Sequence, residues 1–267
     1  TFGIHTRIDE TVEDVAGTIA AGNVYVNRSI IGAVVGSQPF GGHHLSGTGP
    51  KAGGPLYLAR LCAEAPVPPL PHAAEGAKDT ALMHKEIDLL AAHLEEMNLG
   101  TEAARVRRMG ERSPLGGRRP LPGPVGETNT YALAPRGRVL CRPATPQGCA
   151  LQLGAAFATG NDVVLWLDHG QETLARLVPQ ALQHRHVLLG DDEEAVDAVL
   201  FEGDQEHLLA LLQEMAAHDG PIRPVFARTP EAVAAGADYP LAFLVRERAV
   251  TVNTAAAGGN ATLMAMS

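Results

Sequence analysis

From about residue 138 onward, short apolar runs alternate with longer amphipathic ones. Arg138–Arg142, Asp162–Leu167, His186–Leu189 and Ala198–Phe201 are runs of four to six residues dominated by aliphatic side chains, which predicts buried strands. Between them, Pro146–Thr159, Glu172–Gln183 and Gln205–His218 are about three turns each, with the spacing of helices. Strands of that length separated by helices of that length predict an α/β fold with a Rossmann-like parallel sheet.

The pattern nearer the amino terminus is less regular. Thr11–Ala21 is predicted as a helix: Thr11 is a candidate N-cap, Glu13 and Asp14 suit the first turn, and Val12, Val15, Ala16 and Ile19 share a face. Gly22-Asn23 stops it, and Val24–Asn27 follows as a short strand. Ala65 to Pro71 holds too many prolines for a helix or a central strand. An amphipathic helix then carries Ile87, Leu90, Ala91 and Leu94 on one side. The segment bearing Arg105, Arg107, Arg108, Arg112, Arg118 and Arg119, with its glycines and prolines, reads as a solvated linker. Three zones result: residues 1–62, a linker with its helix over 63–120, and a layered domain over 121–267.

Composition narrows the partners. Of 267 residues, 45% are apolar, enough for a buried core. The net charge of -9 argues against broad attraction to nucleic acid or an anionic membrane. Cys62, Cys141 and Cys149 have neither CxxC pairing nor metal-ligand spacing, so a reducing cytoplasmic compartment is the simplest setting. No apolar run approaches the roughly 18 residues of a membrane span. The opening Thr1-Phe2-Gly3-Ile4-His5-Thr6 reads like the interior of a strand, and the expectation is a piece of a longer polypeptide.

Motifs in the first zone carry a family resemblance. Asn23-Val24-Tyr25-Val26-Asn27-Arg28-Ser29, Gln38-Pro39-Phe40-Gly41-Gly42 and Leu45-Ser46-Gly47-Thr48-Gly49 resemble the end of an aldehyde dehydrogenase catalytic domain. Ile30 to Gly36 and Gly49 to Pro55 look like the glutamate-γ-semialdehyde dehydrogenases, in the form fused to proline dehydrogenase in the bacterial proline utilization A family. Leu121 to Asn129, Pro135 to Leu140, Arg246-Glu247-Arg248 and Val250 to Asn260 resemble the extra carboxy-terminal domain of that family's longer members. Two internal likenesses accompany this. Val250-Thr251-Val252-Asn253 repeats the pattern of Val24-Tyr25-Val26-Asn27, with Gly258 and Gly32 at the same offset. The stretch from Pro135 to Val164 resembles the opening of an aldehyde dehydrogenase cofactor domain, so the third zone reads as a degenerate copy of it.

The resemblance implies a parent that oxidises proline to glutamate with FAD and NAD, forms homo-oligomers, and leaves peripheral membrane contact open. This segment's partner is then the rest of the same polypeptide, with no nucleic-acid contact of its own. Catalytic residues are expected to be none here: Cys62 ends a helix, Cys141 sits in an apolar strand and Cys149 in a helical run, as small hydrophobes. The family's nucleophile and base would precede Thr1. Glycine and alanine at Gly32-Ala33 leave backbone N–H groups open to a carboxylate. By resemblance Gly32 and Ala33 hold the substrate α-carboxylate, and Phe40 packs on its aliphatic chain. No cofactor is expected in the segment itself. Trp166 stands where the resembling enzymes carry a ribose-binding lysine, and Glu202-Gly203-Asp204 puts two carboxylates where pyrophosphate would sit, leaving Asp204 as a helix N-cap. No metal is expected either: the histidines are scattered, and adjacent His43-His44 are read as surface residues. Thr251–Ser267, small and apolar, is expected to be a flap that seals a tunnel for the reactive intermediate. The competing reading is a structural module for oligomerisation.

Overall fold

The computed structural model describes residues 1–62, 78–183, 186–190 and 196–254. They form two compact units. Strands and helices are numbered along the chain.

One unit gathers residues 1–62, Gly117–Leu133 and 246–254. Its strands are β1 (Phe2–Ile4), β2 (Asn23–Val26), β3 (Arg118–Leu121), β4 (Glu127–Pro135) and β10 (Val245–Asn253), in the order β1-β2-β10-β4-β3. β1 and β2 pair in parallel, as do β2 and β10, while β3 and β4 are antiparallel. Helix α1 (Asp9–Thr18) covers this sheet: Val12, Val15, Ala16 and Ile19 pack on Ile4, Val24 and Val26. The face is as its spacing predicts, but the start is not. The helix begins at Asp9 with Ile8 as an extended N-cap, and Asp9 and Glu10, not Thr11, occupy the position where the macrodipole favours acid. Helix α2 (Pro55–Leu61) begins with proline at its first turn, where no amide is missed.

The two copies of the Val-x-Val-Asn pattern lie side by side in register. Val24 is opposite Val250, Tyr25 opposite Thr251 and Val26 opposite Val252. Beyond them, Asn253 Nδ2 donates to the Asn27 carbonyl at 3.2 Å. The repeat is thus a pair of parallel neighbours, whose matched β-branched residues share one pleated face. Gly258 lies outside the described residues.

The other unit, from 78–116 and Ala134–Val245, holds the parallel sheet. Its strands β5 (Arg138–Arg142), β6 (Asp162–Leu165), β7 (Val187–Leu189), β8 (Ala198–Glu202) and β9 (Val225–Arg228) run in the order β7-β6-β5-β8-β9, all parallel. That is the doubly wound order, with the direction of winding reversed between β5 and β8. Alternate residues face opposite layers. Val139, Cys141, Val163, Leu165 and Leu200 join one core, and Leu140, Val164, Val199 and Phe201 join the other. Helix α5 (Pro146–Ala158) belongs to the first core, and α6 (Gln205–Ala217) closes the second with Leu211 and Met215. Glu172–Gln183, expected to be a helix, forms only a 3-10 segment over Glu172–Leu177. Pro179 follows its C-cap Val178 and prevents continuation as a helix. Helix α7 (Pro230–Ala234) follows β9.

The chain does not divide at 62 and 120. Helix α3 (Lys78–Glu96) buries Ile87, Leu90, Ala91 and Leu94 in the first core, and α4 (Gly100–Glu111) packs beside it. Of the arginine-rich stretch read as linker, Arg105, Arg107 and Arg108 therefore lie in α4, and Arg118 and Arg119 in β3. Two glycines make this possible. A Cβ at Gly110 would meet Ile87 at 3.0 Å, and one at Gly154 would meet Val106 at 2.7 Å, so they permit α3, α4 and α5 to approach closely. In the sequence Gly110 looks like a breaker; in the fold it is a contact. No described helix is long and apolar enough to cross a membrane.

Candidate functional site

The loop from Arg28 to Phe40 leaves β2 and carries the three candidate substrate residues. Asn27 turns it outward with φ of 55°, its side-chain amide accepting from Thr6 N and donating to Thr6 O. Gly32 has φ of 83°, and a Cβ there would meet nothing within 4 Å, so glycine is present for backbone conformation in open space. The loop is held at both ends. Arg28 donates to Gly32 O at 3.3 Å and pairs with Glu127 at 2.7 Å. At the far end Gln38 Oε1 accepts from Val34 N at 3.0 Å, and Gln38 Nε2 donates to Glu127 and Asn129. Between these anchors the loop shows water its apolar side chains: Ile31 is 80% exposed, Val35 95% and Phe40 48%. Gly32, Ala33 and Phe40 thus occupy one exposed, apolar loop with a rigid base.

Behind the loop is a buried polar cluster that sequence reasoning missed. Phe40 and Ala52 exchange both backbone hydrogen bonds. Next to Ala52, the buried Lys51 ammonium donates to Asn23 Oδ1 and to the Gly41 carbonyl. Its backbone N–H donates to Glu247 Oε2, and Glu247 Oε1 accepts from the Tyr131 hydroxyl at 2.6 Å. Burial pulls the Lys51 amine down to about 8, opposed by the Glu247 charge. Burial likewise pushes the Glu247 carboxyl up, opposed by its bonds from Tyr131 and Lys51. Lys51 and Glu247 are 196 residues apart, so no local pattern announces the pair. In the sequence Glu247 stands between Arg246 and Arg248 in β10, so nothing local marks it as buried.

His43 departs from the surface reading. It is half-buried, its ring edge-on to His44 at 4.7 Å. Burial, with Arg246, His44 and Lys51 nearby, lowers it to about 4. Cys141 and Cys149 are fully buried, and burial raises both thiols, so neither is poised as a thiolate. Cys62 is exposed, unlike the buried role expected for it. Among the described residues no group of three or more His, Cys, Asp or Glu is gathered for a metal ion.

The parallel sheet has the crevice at its strand ends where doubly wound folds take dinucleotides. Here the chain fills it. Glu202, at the end of β8, is buried; its Oε2 accepts from Ala144 N at 2.8 Å and Thr145 N at 2.9 Å, and its Oε1 from Thr145 Oγ1 at 2.7 Å. A Cβ at Gly148 would fall 1.8 Å from Glu202 Oε2. The carboxylate therefore sits at the amino end of α5, where a phosphate would be received. The Arg142 guanidinium carbon lies 5.0 Å from the Trp166 ring centroid, and Asp204 caps α6 through His207 N at 2.9 Å. The position at the amino end of α5 is thus occupied by the chain's own carboxylate.

The fold is α/β with parallel sheets, and residues 1–64 match the model of the aldehyde dehydrogenase family. Over its whole length the chain resembles a fragment of PutA. It is 46% identical over 273 residues to the bifunctional protein PutA of Rhizobium meliloti, covering 100% of this chain and 21% of that protein. It is 45% identical over 278 residues to that of Escherichia coli K12, covering 99% and 20%. The structure of proline utilization A from Corynebacterium freiburgense superposes with a TM-score of 0.54 at 22% identity, over 94% of this chain and 22% of that one, which speaks for the fold alone. The chain spans about a fifth of the length of the curated relatives it matches.

Proposed function

We propose that this chain serves a bifunctional proline-catabolic oxidoreductase as a segment that shapes a site without performing its chemistry. The loop from Arg28 to Phe40 anchors glutamate semialdehyde: the Gly32 and Ala33 amides take the α-carboxylate and Phe40 packs on the aliphatic chain. The α/β unit acts as a lid that binds no dinucleotide, and NAD and FAD belong to the remainder of the polypeptide. The residues after Thr251 complete the lid as a flap; beyond residue 254 they lie outside the described residues. The similarity to PutA along the whole of this chain supports the parent activity, and one observation carries the anchor: an exposed apolar loop, fixed at both ends, with glycine at positive φ where an amide must be presented. A backbone amide is suited to this task because it offers a donor with no side chain to obstruct the carboxylate.

A test uses the full-length polypeptide carrying Gly32→Val. A β-branched residue resists φ of 83°, so the amides are displaced while the loop base is intact. KM for the semialdehyde should rise ten-fold or more, with proline oxidation unchanged. An unaltered KM overturns the anchor.

A further inference from the structure

We infer that Glu247, on the strand β10 near the far end of the chain, is a positioning residue for the substrate loop: it fixes Lys51, and through Lys51 and Ala52 the backbone of Phe40 and Gly41. This deepens the anchor reading and rests on it.

The connection is continuous and made of short polar contacts. Glu247 Oε2 accepts from the Lys51 amide. Lys51 Nζ donates to the Gly41 carbonyl, and Ala52 exchanges backbone bonds with Phe40 at 2.9 and 3.1 Å. Glu247 is itself held from β4, because Tyr131 donates to its other oxygen at 2.6 Å. The side chains that carry the polar contacts are shielded from water: Lys51 is 3% exposed, Glu247 6% and Tyr131 0%. A buried carboxylate is costly unless its oxygens are satisfied, so it persists where it fixes a geometry. There is no room for drift. A Cβ at Gly54 would meet Glu247 Oε1 at 2.5 Å, and Gly41 packs against the Lys51 backbone with a Cβ distance of 3.2 Å. Phe40 is half exposed, so its side chain has little packing to orient it, and its place is set by its backbone bridge to Ala52. The residue proposed to touch substrate is thus located by a carboxylate more than 200 residues later in the chain.

The chemistry predicts a graded set of variants in the full-length polypeptide. Glu247→Gln keeps an acceptor for the Lys51 amide and turns its amide toward the Tyr131 oxygen. Glu247→Ala removes the acceptor altogether. Tyr131→Phe removes only the bond that orients the carboxylate, and serves if Glu247→Ala fails to fold. For the semialdehyde, Glu247→Ala should raise KM about ten-fold with kcat within two-fold, and Tyr131→Phe about three-fold. Glu247→Gln should restore KM to within two-fold of the wild type. Phe157→Ala in the core of the other unit provides a destabilised control whose KM stays at the wild-type value. A Glu247→Ala KM that does not move, or that moves no more than in Phe157→Ala, overturns the inference. Phe40→Ala separates this from the anchor: if Phe40→Ala raises KM and Glu247→Ala does not, only the positioning role fails. If Phe40→Ala leaves KM unchanged, the anchor reading fails and the positioning role with it.

Discussion

The two sheets are built from the same apolar strand vocabulary but joined by opposite means. The parallel sheet draws its strands from one run of chain, 138–228, and each strand is buried mostly by neighbours reached through a single crossover. The other sheet brings together β2, β4 and β10, which are separated by about a hundred residues each; one face packs under α1, and polar contacts also tie the distant segments together: Gln38 with Glu127 and Asn129, Lys51 with Glu247, Thr251 with Asn129 at 2.7 Å. Hydrophobic burial is non-directional and tolerates many pairings, whereas a hydrogen-bonded buried charge is satisfied in one arrangement only. A sheet assembled from distant segments gains specificity from the second kind of contact.

The largest effect should come where the parallel unit borrows that device. Arg105, in the stretch that looks like linker, has a buried guanidinium that donates to Asp238 Oδ1 at 2.7 and 3.1 Å, to Val233 O at 3.0 Å and to Ala237 O at 2.7 Å. Arg105→Ala should cost about 2–3 kcal/mol in denaturant unfolding, because the carbonyls it serves lose a buried partner. Arg105→Lys should recover less than half, since an ammonium cannot reproduce the fork. A loss below about 0.5 kcal/mol, as for a solvated residue, would return this segment to the role of linker.

These cases show what was legible in the sequence. Apart from Glu172–Gln183, which forms only a 3-10 segment, the strands and helices from 138 to 218 could be read because each is its own periodic signal, and the core depends only on that periodicity. Helix α4 could not, because its arginines mimic a solvated run and its glycine mimics a breaker. Only a partner helix in three dimensions shows that Gly110 faces Ile87 and that Arg105 faces Asp238. The loop with Gly32 and Phe40 was legible through its motifs, yet the cluster beneath it was not, since Lys51 and Glu247 each look like ordinary surface charges when read alone. The Val-x-Val-Asn repeat was visible; that its copies pair in register was not.

A somewhat smaller effect is expected at Glu202, where the parallel sheet closes its own crevice. Removing the carboxylate in Glu202→Ala strands the Ala144 and Thr145 amides, at a cost of about 2 kcal/mol. Gly148→Ala tests the same contact from the other side. Its added methyl meets Glu202 Oε2 in the wild type, a clash that Glu202→Ala removes, so the two substitutions should couple by about 1 kcal/mol in a double-mutant cycle. Strict additivity would mean that Glu202 relaxes away freely and does not hold the amino end of α5. Titration calorimetry of the wild-type chain with NAD should correspondingly detect no micromolar binding.

The smallest effect concerns pH and bears on the polar sheet alone. His43 lies beside Lys51, a few residues on, and Arg246, brought in from the far end of the chain, and burial with these charges holds its ring at about 4 against an ordinary value near 6.5. In unfolded chain the ring takes up a proton as pH falls through 6.5, while the folded ring stays neutral until about 4. Folding is therefore opposed increasingly between pH 6.5 and 4, and unaffected by His43 above 6.5, where both states are neutral. At 1.36 kcal/mol per pH unit that interval is worth roughly 3 kcal/mol, which solvent screening of the half-exposed ring reduces to about 1 kcal/mol. Carboxylates titrate in the same range, so the informative quantity is a difference between proteins. The stability gap between wild type and His43→Asn should shift by about 1 kcal/mol in favour of the variant from pH 7.5 to pH 4.5, read by urea unfolding. A gap that is constant with pH would mean the folded ring ionises like an exposed one, and that the charges converging on this sheet are already satisfied among themselves.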